Sequence, residues 1–315
     1  MNLIIRGVTQ NAGILINNSV NNTIKQNNLT GNMGGVALIN TTATNVTGNV
    51  INNSSGFGIW VESGSTNIIS QNTLKYNDCG ISIINSNNNA IISNIVTNNN
   101  CNGISIVNSP TEIHFNQIFT NNIRGLYVYN GTVNATNNWW GNNSGPVNSS
   151  NITSDIYNQY GAIDYSTWLV MNITAQPPGT TGNSTITADI THNNTGGDTS
   201  SQGHIPDNIP ITFATNLGNI TSYAYTRNGK ASVTFSRGTL TSGVTEVTAN
   251  LNRQTMQTNV AFNAIQLTII ADPIGGYITP PQIVTLIPII DPNENATIYY
   301  TLDGSDPRTD GIVYL

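Results

Sequence analysis

"GISIINSNNNAIISNIVTNNN" (residues 80–100) is one pass of a pattern that recurs through the first half of the chain. Ile81 and Ile83 alternate with polar neighbours, Ile91 and Val96 follow, and the gaps are filled with Asn and Ser. Related segments "GILI", "GVAL", "GIWV", "GISI" and "GLYV" begin at Gly13, Gly35, Gly58, Gly103 and Gly125. With Gly80 included, successive starts lie 22, 23, 22, 23 and 22 residues apart. A second apolar step recurs at Ile24, Val46, Ile69, Ile91 and Ile113, and a third at Leu29, Ile51, Leu74, Val96 and Ile118. Self-similarity at such a period marks a stacked-repeat architecture.

A leucine-rich horseshoe and a parallel β-helix both suit the period. Pairs such as Ile14/Ile16, Ile59/Val61 and Ile81/Ile83 have the period of two expected of strands. The runs between them favour bends and tolerate left-handed backbone. No window offers a helical face, so the sequence reads as all-β: a right-handed parallel β-helix of about six coils of 22–23 residues. Stacked ~4.8 Å apart, the coils satisfy one another's backbone. Asn27, Asn49, Asn72, Asn94, Asn116 and Asn137 form an expected inward ladder, amide to amide. A second Asn position recurs at residues 32, 77, 99 and 121, with Ser54 as the exception.

The repeats end in "NNWWGNNSGP" (137–146), with "GAIDYSTWL" close behind. On this reading Trp139 takes the core position held earlier by Leu29 through Ile118, and Trp139, Trp140 and Trp168 cap the open end of the rod. A sugar-binding platform is the competing role for the tandem pair. Repeats with this ending resemble the parallel β-helix repeats of archaeal adhesin-like surface proteins, over about residues 10 to 170. The same repeat also occurs in polysaccharide-processing enzymes, so fold alone does not decide function.

From about residue 171 the texture changes. "AQPPGTTGNS" reads as a linker, and the alternating segments "STITADI", "IPITFAT", "KASVTFS", "TEVTANL" and "TNVAFN" read as an antiparallel sandwich. These segments resemble the group-1 bacterial Ig-like domains of invasin and intimin type proteins, which implies a spacer. "ATIYYTLDGSDPRTDG" is similar to the small sandwich at the C-terminus of chitobiase and hexosaminidase enzymes, with Tyr299 to Thr301 as a strand and Asp303-Gly304 as a turn. The expected domains are therefore 1–170 (β-helix with Trp cap), 171–265 (Ig-like sandwich) and 266–315 (an incomplete small sandwich, expected to be the least stable part).

Only 8% of the 315 residues are charged, and the net charge is −6. Up to residue 150, Arg6, Lys25, Lys75 and Arg124 face Glu62, Asp78 and Glu112, which leaves no electrostatic footprint for nucleic acid. No run approaches the ~18 apolar residues of a membrane span, and the opening "MNLIIRGVTQ" is unlike a signal peptide. Export signal, anchor and any membrane contact are expected to lie outside this chain.

Catalysis would need a carboxylate pair or a charged cluster. Glu112 and His114 share one face of a strand, but no second carboxylate is expected at the matching register of the neighbouring coils. No enzyme activity, metal or cofactor is expected, and Asp303, Asp306 and Asp310 read as turn chemistry. The outward column Leu15, Ala37, Trp60, Ser82, Ser105 and Tyr127 offers Trp60 and Tyr127, three coils and ~14 Å apart, as binding rings for a glycan. Cys79 and Cys101 lie at nearly equal register, as a disulfide outside the cell or as two thiols in a reducing habitat. About seventeen Asn-x-Ser/Thr sequons occur. The expected function is a non-catalytic, extracellular or cell-surface adhesin-like rod that contacts cell-wall or extracellular polysaccharide or another cell. The alternatives are a carbohydrate-active β-helix enzyme and a purely structural stalk.

Overall fold

The computed structural model describes residues 3–147, 155–180, 182–240, 242–263, 268–272, 283, 285–289 and 297–314. The repeats wind into a parallel β-solenoid of three faces, with each coil supplying one strand to each face. The coil that contains the quoted stretch contributes Cys79–Ile84 to the first face, Asn89–Ile92 to the second and Ile95–Thr97 to the third. Among the described residues the first and second faces have seven strands and the third has six. Ile81, Ile83, Ile91 and Val96 are fully buried in one continuous aliphatic core, stacked on the equivalent residues of adjacent coils.

The corner between the second and third faces shows how a chain this polar folds. One residue turns into the left-handed region, at Gln71, Ser93 and Phe115 (φ 56°, 54° and 60°). The next residue is an Asn that points inward. Asn72 Nδ2 donates to Asn94 Oδ1 (3.0 Å) and to the Val46 carbonyl (2.8 Å), while its own Oδ1 accepts from the backbone and side chain of Asn49 (both 2.9 Å). Asn27, Asn94 and Asn116 repeat the arrangement. A buried amide unpaired would cost about 1–3 kcal/mol, but here each coil satisfies its neighbour. The second Asn position forms its own ladder from Asn77 through Asn99 to Asn121, and Ser54 joins it through its backbone N–H.

At the sixth coil the ladder departs from the expected residue. Asn138, not Asn137, receives the bonds of Asn116 (both 3.0 Å) and donates to the Ile113 carbonyl. Asn137 is the left-handed corner residue (φ 57°), and its side chain accepts from the Thr167 hydroxyl. The 22-residue step from Asn116 leads to Asn138, and Asn suits the corner position as well as the ladder.

The same one-residue shift corrects the role of Trp139. It aligns with Gln117 on the outer side of the third face, so Trp140 takes the inward place after Ile118. Consecutive strand residues point to opposite sides, and the two indoles are fully buried in different cores. Trp140 belongs to the rod core, which Trp168, Tyr165 and Ile163 help close. Trp139 belongs to the core of the domain that follows, and its indole N–H donates to Asn252 Oδ1 at 2.7 Å.

That domain is a two-layer sandwich, antiparallel except where Gly179–Thr180 runs parallel to Gln254–Phe262. One sheet contains Leu169–Gln176, Asn183–Asn193, Lys230–Ser236 and Asn219–Ile220; the other contains Gly179–Thr180, Gln254–Phe262, Gly243–Leu251, Pro210–Thr215 and Tyr223–Tyr225. Ala231, Val233 and Phe235 point into its core, and Asn228 and Gly229 make the left-handed turn before them (φ 50° and 75°). The segment "AQPPGTTGNS" is not a linker between domains. Its described residues end the first long strand at Gln176, give the second sheet its short strand Gly179–Thr180 and begin the next long strand at Asn183, and Leu169 follows the rod's last bridge at Trp168 directly.

The sandwich also packs against the flank of the rod. Ser93 Oγ donates to the His204 carbonyl (2.8 Å), and Phe115 lies within the sandwich core cluster. Arg253 Nη2 donates to the Trp140 carbonyl (3.2 Å), and the Asn143 backbone N–H to Gln254 Oε1 (2.8 Å). Cys79 and Cys101 are disulfide-bonded across adjacent coils, with Cα atoms 4.9 Å apart. Beyond the sandwich, the described residues form two two-stranded sheets, Thr268–Asp272 with Thr285–Ile289 and Tyr299–Tyr300 with Ile312–Val313. Thr301 lies just outside its expected strand, and Gly304 makes the expected turn (φ 81°). Gln266, where the third segment was expected to begin, lies outside the described residues.

Two stability experiments follow. Asn72→Ala orphans the Asn49 N–H and the Val46 carbonyl and should cost roughly 2–5 kcal/mol in a denaturant melt, whereas Asn40→Gly, at an exposed left-handed corner, should cost under about 1 kcal/mol. Trp139→Ala and Trp140→Ala should each cost about 3–5 kcal/mol. Amide exchange should separate them: Trp140→Ala loosens the last coils, and Trp139→Ala loosens the Leu251–Gln254 hairpin.

Candidate functional site

The outward column on the first face holds the expected register. Leu15, Ala37, Trp60, Ser82, Ser105 and Tyr127 are successive strand partners, and the column continues to Tyr157. Period-two alternation puts these side chains outside because their neighbours fill the core. Trp60 and Tyr127 are both half-buried, three coils apart. Trp60 stacks with Phe57 (centroids 6.5 Å, planes 30° apart) and lines a groove of about 350 Å³ with Leu15, Met33 and Ala37. Tyr127 lies parallel to Tyr157 (6.0 Å, 5°), and the Arg124 guanidinium covers the Tyr157 ring at 3.8 Å. Tyr129 and Tyr160 meet edge to face beside them (5.7 Å). Tyr157 and Tyr160 were not legible as part of this site, because their coil returns 30 residues after the previous one instead of 22: Tyr127 pairs with Tyr157.

The same long step changes the picture around Glu112. Its outward column on the second face runs Ala90, Glu112, Asn134, Asp164, so a second carboxylate does stand at the matching register, two coils along. At ~4.8 Å per coil, Glu112 and Asp164 are ~9.6 Å apart along the rod. Glu112 Oε2 accepts from Asn134 Nδ2 (2.9 Å) and lies 2.8 Å from His114 Nε2. His114 Nδ1 lies 2.9 Å from the Thr136 carbonyl. Hydrogen bonds from Ser166 hold the Asp164 carboxyl below its ordinary range, and the nearby His114 acts in the same direction. A groove of about 540 Å³ runs past these groups, with Ala90, Pro110 and Ala162 also on its walls.

The acidic residues of the last segment have local partners. Asp303 accepts from Ser305, and Asp306 caps a short helical turn and binds Arg308. Among the described residues no group of three or more His, Cys, Asp or Glu side chains could hold a metal ion. No helix among them is long and apolar enough to cross a membrane.

Residues 12–167 match the family of the right-handed β-helix region, and residues 288–315 match the family described as Fn3 associated. Among solved structures, the chain is similar to the enzymatically active domain of tailspike protein 2 of bacteriophage CBA120. Identity is 12%, coverage is 82% of this chain and 55% of that one, and the TM-score is 0.39. Full-length tailspike protein 2 from the Escherichia coli O157:H7 bacteriophage gives 11% identity, 83% and 50% coverage, and a TM-score of 0.36. The C-terminal fragment of intimin, in complex with the intimin-binding domain of its translocated receptor, gives 20% identity, 40% and 47% coverage, and a TM-score of 0.26. The chain spans about half the length of each of these structures. No curated protein matches it.

The Glu112 cluster is a surface arrangement on a rigid strand, and surface ion pairs contribute little to stability. Glu112→Gln and Asp164→Asn should each shift the unfolding free energy by less than about 1 kcal/mol in denaturant melts, which makes them clean probes of any role in binding.

Proposed function

We propose that the chain is part of a non-catalytic, adhesin-like cell-surface protein whose rod contacts extracellular or cell-wall polysaccharide, or a neighbouring cell, through its first face. One observation carries this reading: Trp60 and Tyr127 stand partly open on rigid strands of a single column, three coils apart. Rings fixed by the stacked backbone lose little freedom on binding, so their contact area is used efficiently. The sandwich, with its resemblance to Ig-like spacers, and the last segment, with its resemblance to chitobiase-type modules, then extend and position the rod. The sparse charge agrees with a ligand held by stacking and hydrogen bonds more than by ion pairing.

A second reading, a carbohydrate-active enzyme, draws on the Glu112–Asp164 pair. Inverting glycosidases place their two carboxyl groups roughly 6.5–9.5 Å apart, and the two-coil spacing of these residues, ~9.6 Å along the rod, falls just above that range.

A panel of cell-wall and extracellular polysaccharides, scored for retention of the protein and for release of new sugar ends, separates the readings. Retention without release is expected, with Trp60→Ala and Tyr127→Ala each weakening it about tenfold, equivalent to ~1.4 kcal/mol. New ends that disappear in Asp164→Asn would establish the enzyme instead. Neither retention nor release would leave a structural stalk.

A further inference from the structure

The rod carries a second feature suited to a glycan, on a face that the Trp60 column does not reach. Along the second face, Glu112, Asn134 and Asp164 present one polar group per coil in a straight row. Glu112 is an exposed carboxylate, yet it is not free to swing. One of its oxygens is engaged by both Asn134 and His114, and His114 is tied to the Thr136 carbonyl of the next coil. Asp164 is oriented in the same way by the Ser166 backbone N–H (3.0 Å). The row borders a groove of about 540 Å³, within the ~300–1,000 Å³ usual for ligand sites. Ala90, one coil before Glu112, and Ala162, on the same strand as Asp164, leave that groove open, with small apolar surface at the two ends of the row.

We infer that this groove binds a neutral, linear, polyhydroxylated glycan laid along the rod axis, with sugar hydroxyls donating to Glu112 and Asp164 and an apolar sugar face lying over the alanines. Carboxylates accept strongly from hydroxyl donors, and charge-assisted bonds of this kind are about twice as strong as neutral ones. Ordering the acceptors in advance removes an entropic cost that a mobile surface carboxylate would incur. The chemistry also sets a limit. Two carboxylates in one groove repel a uronate or sulfated polymer, so the ligand here is uncharged. The inference rests on the reading that the rod's ligand is a polysaccharide, but it concerns a different face and different atoms.

The test compares the full chain, the double variant Glu112→Gln/Asp164→Asn and the double variant Trp60→Ala/Tyr127→Ala, each checked for an unchanged melt. Retention is measured on matched neutral and uronate-containing polysaccharides. The expected result is at least a tenfold loss on neutral glycan for Glu112→Gln/Asp164→Asn, with uronate polymers held no more tightly than neutral ones by the unmodified chain. Unchanged retention in Glu112→Gln/Asp164→Asn, alongside loss in Trp60→Ala/Tyr127→Ala, overturns this inference and leaves the first-face reading intact. Preference for uronate polymers also overturns it. If the unmodified chain retains no polysaccharide, both readings fall together.

Discussion

The corner between the second and third faces governs the rest of the rod. There the chain must turn sharply once per coil without leaving a polar group stranded in an aliphatic core. A left-handed residue makes the turn, and the Asn after it points inward, where its amide bonds the coil on either side. The arrangement works only if the next coil brings an equivalent amide to the same height, so the corner fixes the period and keeps the faces in register. The aliphatic columns follow from it. Once Asn72 and Asn94 are aligned, Ile69 lies over Ile91 and Leu74 over Val96 without further choice.

The tandem tryptophans show how much depends on a single residue of register. In a strand a slip of one position exchanges inside for outside. Trp140 therefore closes the rod, and Trp139, one residue earlier, leaves it and enters the sandwich. Had one large residue stood at this point, the chain could have finished the rod or anchored the next domain, but not both. The question of plug against platform for the pair has a divided answer: one ring fills the end of the rod, and the other is the joint.

Much of this was legible in the sequence because the signal repeats. Six glycine starts at near-constant spacing define strands, faces and core columns more firmly than any single segment could, and the outward column from Leu15 to Tyr127 followed from alternation alone. What could not be read was mostly whatever broke the period. The sixth-coil Asn is a different case: the 22-residue step from Asn116 points to Asn138, but Asn137 suits an inward ladder equally well by residue type. The last coil takes 30 residues to return, which hid the alignment of Asp164 with Glu112 and of Tyr157 with Tyr127. The docking of the sandwich was also invisible, because Ser93 and Phe115 look like ordinary corner residues until a second domain is placed against them. Composition misled once: Pro177, Pro178 and Gly179 punctuate a turn inside the sandwich, although the same residues would suit a flexible tether.

The joint has a mechanical meaning. A stack of coils is easiest to open from its last rung, which is bonded on one side only. A pull on the chain beyond residue 169 would ordinarily peel that rung away one bond at a time. Here the sandwich grips three successive coils, at Ser93, Phe115 and Trp139. Tension arriving from the C-terminal side is thus spread across parallel contacts and resisted in shear, and the rod and sandwich must separate along their shared flank before the solenoid can begin to unwind.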